Sequence, residues 1–339
     1  MQHFAVDLGG RKSQICVREA SGTILREREV ATSSLPRILA KEPPSRIVLE
    51  TCAEAFSMAD AALEHGHEVR VVPATLVRSL GVGARGVKTD RRDAQVLSEV
   101  STRIDLPSVH IPSAKAREWK SLCGLRQQLV RSRTAFINTS RGWGRSRAIR
   151  IPSCTPATFP KRATKAAESL PDGLPLALQR VLDSIEDLNM RIAEADKELA
   201  SLAKEDDTCK RLMTVPGVGP ITAINFAAAL DEISRFPSAH AVESYLGLTP
   251  GENSSSQRKQ RTGITKAGPA AVRTTLIQAA WCLRLARPGE PIVVWAKSVE
   301  LRRGKFVATV AVARKLAGIL FALWRDGTTY ESSRTVATT

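Results

Sequence analysis

The chain has 339 residues, of which 43% are hydrophobic, so it is long enough for two domains that each bury a core. Lys and Arg number 50 against 34 Asp and Glu, and the resulting net charge of +16 favours a polyanionic partner such as nucleic acid. The six cysteines are scattered without a C-x-x-C pair, and no secretory signal pattern is present. These features argue against a zinc ribbon and a disulfide framework, and we expect a cytoplasmic protein.

The first 105 residues alternate between strand and helix patterns. One apolar run ends at Asp7, a hairpin is expected around Gly22, and another apolar run ends at Glu50. Helical segments separate the later strands, so we predict an α/β sheet. His65 and His67 form an H-x-H pair before the last strand, but without a third ligand nearby we expect both on the surface.

Four acids in this region form a candidate metal site. Asp90 and Asp93 begin a helical segment three positions apart, and therefore lie on one face of it. With Asp7 and Glu50 at strand ends they could hold the pair of Mg²⁺ ions that neutralises the attacking and leaving oxygens in phosphodiester chemistry. A single acid after a strand is more often a turn or cap residue, so the hypothesis depends on the set of four.

Residues 106–205 are predicted to form a basic helical arm and a coiled coil. No acidic residue occurs between Glu118 and Glu168, whereas eleven Lys and Arg do, and we expect Arg141, Arg145 and Arg147 to contact a nucleic-acid backbone. Apolar residues four and three apart follow in a seam over 181–202. The seam fits either a helical hairpin within one chain or a zipper between two chains.

Residues 206–339 are predicted to form a mainly α-helical domain. Its turn VPGVGP is typical either of half a helix-hairpin-helix, in which Gly217 and Gly219 approach phosphate, or of an ordinary helix entry. The apolar stretch 306–324 carries Arg314 and Lys315 at its centre, which indicates a buried helix and no membrane role.

The N-terminal acids lie in motifs that resemble a known family. The segments VDLGG with Asp7, LET with Glu50, and KTDRRDA with Asp90 and Asp93 resemble the DEDD transposases of the insertion-sequence family numbered 110, including its subgroup numbered 1111. The resemblance implies a RuvC-like, ribonuclease-H-type fold over residues 1–105. It also implies that all four acids are catalytic metal ligands for Mg²⁺, as two ions.

The C-terminal region resembles the same family in VPGVGPITA and in YLGLTPGENSSSQRKQRTGITKAG. This implies an essential serine at Ser255 that attacks DNA phosphate and becomes transiently linked to it. Ser256 stands where the family often has glycine, so Ser254 and Ser256 remain alternatives for the nucleophile. Nearby cations would stabilise phosphate charge: Arg258, Lys259, Arg261 and Lys266. The residues of this loop, taken alone, favour a flexible basic segment on the DNA backbone.

The resemblance as a whole implies a transposase that cuts and rejoins DNA. It further implies a guide RNA transcribed from the element's own flank and a dimer or tetramer. Because the four acids and Ser255 lie far apart in sequence, a catalytic site shared between subunits is a further hypothesis. A junction-resolving nuclease would use the same acids without a covalent intermediate. An actin-like-fold sugar kinase would explain DLGG followed by Lys12, but it needs a second phosphate loop that the later sequence does not offer. An inactive DNA-binding protein would not place four acids beside DNA.

Overall fold

The computed structural model describes residues 1–79, 90–168, 170–171, 173–252 and 261–332, with the backbone alone at residues 78, 79, 90 and 261. The chain divides into two compact units, Met1–Pro112 and Ser113–Thr339. The three domain ranges expected from the sequence stay a prediction.

The first unit is a five-stranded mixed sheet with helices on both faces. Its strands are β1 His3–Asp7, β2 Lys12–Arg18, β3 Ile24–Ala31, β4 Arg46–Glu50 and β5 Glu68–Val72, and its helices are α1 Leu35–Leu39, α2 Ala55–Glu64, α3 Ala74–Ser79 and α4 Asp90–Arg103. The strand order is β3-β2-β1-β4-β5, with β1 antiparallel to β2 and parallel to β4. This architecture confirms the ribonuclease-H-like fold predicted for the N-terminal region.

The central strand β1 is buried on both faces because its side chains alternate between two apolar layers. Phe4 and Val6 pack with Leu35 of α1 and with α2 on one face. Ala5 packs with Leu97 of α4 on the other face. A residue's position along a strand therefore decides which helix layer it meets.

His67 is buried, which corrects the expectation that both histidines lie on the surface. Its Nδ1 accepts a hydrogen bond from the backbone N–H of Ser45 at 3.1 Å, and its Nε2 lies 3.0 Å from the carbonyl oxygen of Leu39. Because both ring nitrogens have backbone partners, this polar ring can be buried without loss of hydrogen bonding. His65 is exposed, as predicted.

The second unit is mainly α-helical. Its helices are α5 Ala114–Arg145, α6 Phe159–Ala167, α7 Leu176–Glu205, α8 Asp207–Leu212, α9 Pro220–Leu230, α10 Ala239–Tyr245, α11 Ala270–Ala286, α12 Pro291–Arg303 and α13 Lys305–Asp326, and its strands are β6 Pro250–Glu252 and β7 Arg261–Ile264. The predicted seam on α7 packs against α5 of the same chain, with Ile185, Ile192 and Leu199 buried. Of the two alternatives for the seam, the structure has the hairpin within one chain.

Helix α13 is long and apolar enough, by length and composition, to cross a membrane. In the structure Val312, Leu316 and Leu320 of this helix are fully buried in the same core as Phe226 of α9. The apolar composition of α13 is therefore explained by packing inside the second unit.

Candidate catalytic and nucleic-acid-binding sites

Asp7 and Glu50 are the last residues of two neighbouring parallel strands. The register of β1 with β4 places them at the same level, on strands that lie about 4.8 Å apart. Asp7 lies two positions after Ala5 in β1, and Glu50 lies two positions after Val48 in β4; both Ala5 and Val48 face α4. Both acids therefore project from the sheet on the face that α4 covers.

Helix α4 brings Asp93 to the same end of that face. At the other end of the helix, Ser101 Oγ lies 2.8 Å from Nδ1 of His3, and Leu97 packs on the middle of the sheet. Asp93 lies about 12 Å before Ser101 along the axis of α4, and Asp7 lies about 13 Å beyond His3 along β1, so the two distances are nearly equal. The helix thus runs antiparallel to β1, and Asp93, only 4% exposed, reaches the level of Asp7.

Three of the four predicted acids thus share one end of one sheet face: Asp7, Glu50 and Asp93. Asp90 begins α4, but its side chain lies outside the described part of the structure. Among the side chains that are described, no three from His, Cys, Asp and Glu form a group already close enough to hold a metal ion. As donors, three carboxylates fit a hard divalent cation, which prefers oxygen ligands. The assignment of metal ligands stays a prediction.

Polar contacts fix α4 on the sheet. Arg18 Nε donates to Ser98 Oγ at 2.9 Å. Glu27 of β3 accepts hydrogen bonds from Gln95 and from Arg91, the latter at 2.6 Å. Burial opposes ionisation of Glu27, but the hydrogen bonds from Gln95 and Arg91 hold its pKa below the usual value. Glu27 therefore stays charged near neutral pH and anchors the N-terminal half of α4.

The turn after Asp7 is held by a hydroxyl pair that sequence reasoning missed. Thr32 Oγ1 donates to the carbonyl oxygen of Gly9 at 2.6 Å, the N–H of Gly9 donates to Ser13 Oγ at 3.3 Å, and the two hydroxyl oxygens lie 2.7 Å apart. A Cβ at Gly9 would lie 2.3 Å from the carbonyl oxygen of Lys12, so the turn needs glycine there. The DLGG motif signals a tight turn, but nothing in the sequence points to Thr32 as its support.

The serine segment lies outside the described residues. The predicted residues concerned are Ser254, Ser255, Ser256, Arg258, Lys259 and the side chain of Arg261. On either side of them, β6 and β7 pair antiparallel with Glu252 opposite Arg261. Lys266, which follows β7, is exposed and has φ of 57°. The two ends of the serine segment are therefore brought together by a short two-stranded ribbon.

The glycines of the VPGVGP turn differ in their surroundings. Gly217 has φ of 86°, and a Cβ there would lie 2.6 Å from the carbonyl oxygen of Ala279 and 3.1 Å from the backbone nitrogen of Leu283, both on α11. The close approach of α11 is sufficient reason for this glycine. Gly219, which directly precedes α9, has open space at its Cβ position. Phosphate binding by either glycine stays a prediction.

The arginines predicted to bind nucleic acid lie where α5 ends. Arg145 and Arg147 are exposed. Arg141 is half-buried, with its guanidinium 5.3 Å from the ring centroid of Phe159 and its Nη1 donating to the carbonyl oxygen of Ile151. Arg141 therefore supports the local fold, whereas Arg145 and Arg147 are exposed, with the Arg147 guanidinium 4.7 Å from the ring centroid of Trp143.

Further exposed cations surround this end of α5, along two clefts that share Arg150. We call this surface the basic tip, and define it by Arg145, Arg147, Arg150, Arg162 and Lys165. By contrast, Arg126 of the same arm pairs with Asp196 of α7 at 2.5 Å, and Arg133 donates to Asn189 at 2.9 Å. Within the hairpin the charge of Arg126 is thus neutralised and Arg133 is hydrogen-bonded, whereas the basic tip presents a cluster of exposed cations.

The first unit is a ribonuclease-H-like domain, because its five strands have the order β3-β2-β1-β4-β5 and acids end the neighbouring parallel strands β1 and β4. The second unit adds a basic helical surface. A DEDD transposase profile of the IS110 group matches residues 4–143, and the profile described as Transposase IS116/IS110/IS902 family matches residues 209–290. The chain belongs to the IS110 family of transposases, which cleave and transfer DNA strands.

Full-length relatives agree with this assignment. The chain is 28% identical to the transposase for insertion sequence element IS1111A of Coxiella burnetii, over 96% of this chain and 90% of that protein. It is also 28% identical to the transposase for insertion sequence element IS1328 of Yersinia enterocolitica, over 96% of this chain and 98% of that protein. Family membership confirms the resemblance seen in the sequence, and implies DNA as a partner and a divalent metal ion.

Proposed function

We propose that this transposase binds two Mg²⁺ ions through Asp7, Glu50, Asp90 and Asp93, and that Ser255 is its nucleophile. We further propose that it acts in the cytoplasm as a homo-oligomer, directed by a guide RNA from its own element. The observation that carries the metal proposal is the common level of Asp7, Glu50 and Asp93 on one face of the sheet.

The three described acids are well suited to hold a cation in fixed geometry. Asp7 and Glu50 end strands whose neighbouring residues are fully buried, so their backbone positions are rigid. Asp93 lies on a helix that hydrogen bonds hold at both ends. Bound Mg²⁺ would neutralise the charge that develops on the attacking and leaving oxygens of a phosphodiester.

The metal proposal is tested by Asp7→Asn and Asp93→Asn. Each should abolish DNA cleavage and leave duplex binding roughly unchanged, because the property removed is metal binding and not affinity for DNA. Adding Mn²⁺ should raise the melting temperature of the wild type and raise it less in either variant. Glu29→Gln is the matched control, since Glu29 is an exposed acid of the same unit that pairs with Lys12. Cleavage that survives in Asp7→Asn would contradict the proposal.

The serine proposal is supported by the family's C-terminal domain and by the ribbon on both sides of the serine segment. Wild-type protein incubated with DNA carrying the element's ends should yield a protein–DNA adduct that survives denaturation. Ser255→Ala should lose the adduct, and Ser254→Ala and Ser256→Ala should keep it. An adduct lost only in one of the other two variants would move the nucleophile there. No adduct in the wild type would favour a junction-resolving nuclease mechanism.

The RNA and oligomer proposals rest on the family resemblance and on the basic tip, which suits a phosphate backbone. Sequencing RNA that co-purifies with the protein from cells carrying the whole element should recover the element's flank. Light scattering of the purified complex should give a mass of two or four protomers. Recovery of random cellular RNA would argue against a specific guide, and a monomeric mass would argue against an oligomer.

A further inference from the structure

The junction between α12 and α13 exposes large apolar side chains among cations. Residues 301–307 are all exposed, with Leu301 at 89% and Phe306 at 79% of their full accessible surface. Between them lie Arg302, Arg303 and Lys305. Leu301, Phe306 and Val307 are each more than half exposed and lie within seven residues of one another among these cations. Apolar side chains clustered at a polar surface mark a binding site.

This junction is rigidly built. The N–H of Gly304 donates to the carbonyl oxygen of Glu300 at 2.8 Å. Arg284 of α11 pairs with Glu300 and donates to the carbonyl oxygen of Lys305 at 3.2 Å and to Thr309 Oγ1 at 2.9 Å. The exposed side chains are therefore presented on a fixed backbone, which lowers the entropy cost of binding through them.

An aromatic pair lies beside the cations. The ring of Trp281 contacts the ring of Phe306 edge-on, with centroids 6.2 Å apart and an interplanar angle of 76°. Lys305 Nζ lies 5.0 Å from the Trp281 ring centroid. Phe306 thus rests on Trp281 and remains mostly open to solvent.

We propose that Phe306, supported by Trp281 and accompanied by Leu301, stacks on unpaired bases of DNA while Arg302, Arg303 and Lys305 bind the neighbouring phosphates. Aromatic rings beside cations are how proteins hold single strands, and apolar side chains inserted at a base step open the stack. DNA is the expected occupant because the family cleaves and transfers DNA strands. The proposal does not depend on the guide RNA, the serine or the metal ligands.

A second copy of this chain fits the surface less well. Two copies meeting through this junction would place three cations of one copy against the same three of the other. Juxtaposed like charges oppose such an interface, whereas DNA phosphates would neutralise the three cations.

The test compares Phe306→Ala with wild type by fluorescence anisotropy on a labelled single-stranded oligothymidine and on a labelled duplex. Alanine should weaken single-strand binding by about fivefold to 150-fold and leave duplex binding nearly unchanged, because the cations that bind phosphate remain. Phe306→Trp should retain single-strand binding, since it keeps an aromatic ring. Met190→Ala is the matched control, because it removes another exposed apolar side chain, 62% exposed, from α7.

Three results would overturn the proposal. One is single-strand affinity in Phe306→Ala equal to that of wild type. Another is a loss of affinity in Phe306→Ala that is seen only with an oligouridine RNA of the same length and not with the oligothymidine DNA. The third is a lower oligomer mass in light scattering with DNA affinity unchanged, which would make the junction a contact between copies. Urea titration should show that Phe306→Ala unfolds at the same midpoint as wild type, because the removed ring is mostly exposed.

Discussion

Replacing Gly9 by alanine should disable the enzyme while leaving it folded. The added Cβ would lie 2.3 Å from the carbonyl oxygen of Lys12, whereas ordinary contacts lie at 3.4 Å or more, so the turn must move by roughly 1 Å. This turn directly follows Asp7. If Asp7 holds the catalytic metal as proposed, a shift of about 1 Å in its position should cost about 100-fold in rate. Overpacking costs about 1–3 kcal/mol, less than the stability of a typical domain, so the protein should remain folded at its working temperature.

The assay measures cleavage and strand transfer on DNA carrying the element's ends, with urea titrations of the same preparations. Gly10→Ala is the matched control, since a Cβ at Gly10 meets nothing within 4 Å. It should change the free energy of unfolding by less than about 0.5 kcal/mol and keep nearly full activity. Wild-type activity in Gly9→Ala would refute the idea that this turn sets the position of Asp7, as would equal loss in both variants.

Three further substitutions test other parts of the chain. Gly217→Ala should lower the free energy of unfolding by about 1–3 kcal/mol in urea titration, because its Cβ would lie 2.6 Å from a backbone oxygen of α11. Gly219→Ala should change the free energy of unfolding little, and equal effects of the two substitutions would contradict the packing role of Gly217. Asp206→Ala should cost about 0.5–2 kcal/mol at neutral pH, because the carboxylate caps α8. Burial opposes ionisation of Asp206, but its ion pair with Lys115 and the hydrogen bond from the N–H of Cys209 lower its pKa. The cost should therefore be full above the unfolded-state pKa and vanish as the pH falls through the lower folded-state pKa, and a cost that persists unchanged in strong acid would contradict this. Replacing Arg145 and Arg147 together by Ala should weaken binding equally on unrelated DNA duplexes. The slope of the logarithm of the binding constant against the logarithm of the salt concentration should fall by about one unit for each phosphate that is no longer neutralised. An unchanged slope would show that neither arginine binds the DNA backbone.

The sheet could be predicted from the sequence because its strands carry strong local signals. The buried strands are short apolar runs, and Asp7 and Glu50 mark where two of them end. Spacing alone put Asp90 and Asp93 on one helix face. The level of Asp93 along β1 could not be predicted, because it depends on a contact between His3 and a serine 98 residues away.

Partners of polar side chains were the least predictable feature. The basic arm gave no sign that Arg126 would pair with α7 while Arg145 would stay exposed, since both lie in the same run of cations. The seam on α7 correctly indicated three of the buried side chains, Ile185, Ile192 and Leu199, but not whether their partner is the same chain. Phe306 begins the stretch 306–324 that the sequence indicated to be a buried helix, and its exposure corrects that expectation. Phe306 and Val307 are exposed, and the buried residues of this helix begin at Ala308.

The way α4 is held has a physical reason that connects the fold to the chemistry. Its buried face contains few apolar side chains, mainly Ala94 and Leu97, and otherwise Asp93, Ser98 and Ser101. Apolar packing has no direction and tolerates sliding, whereas hydrogen bonds fix distance and angle. A helix that carries the proposed metal ligands must hold them to within about 0.5 Å, and directional hydrogen bonds to the sheet contribute to that precision. The same serines that weaken the hydrophobic layer therefore give α4 the register that the proposed metal site requires.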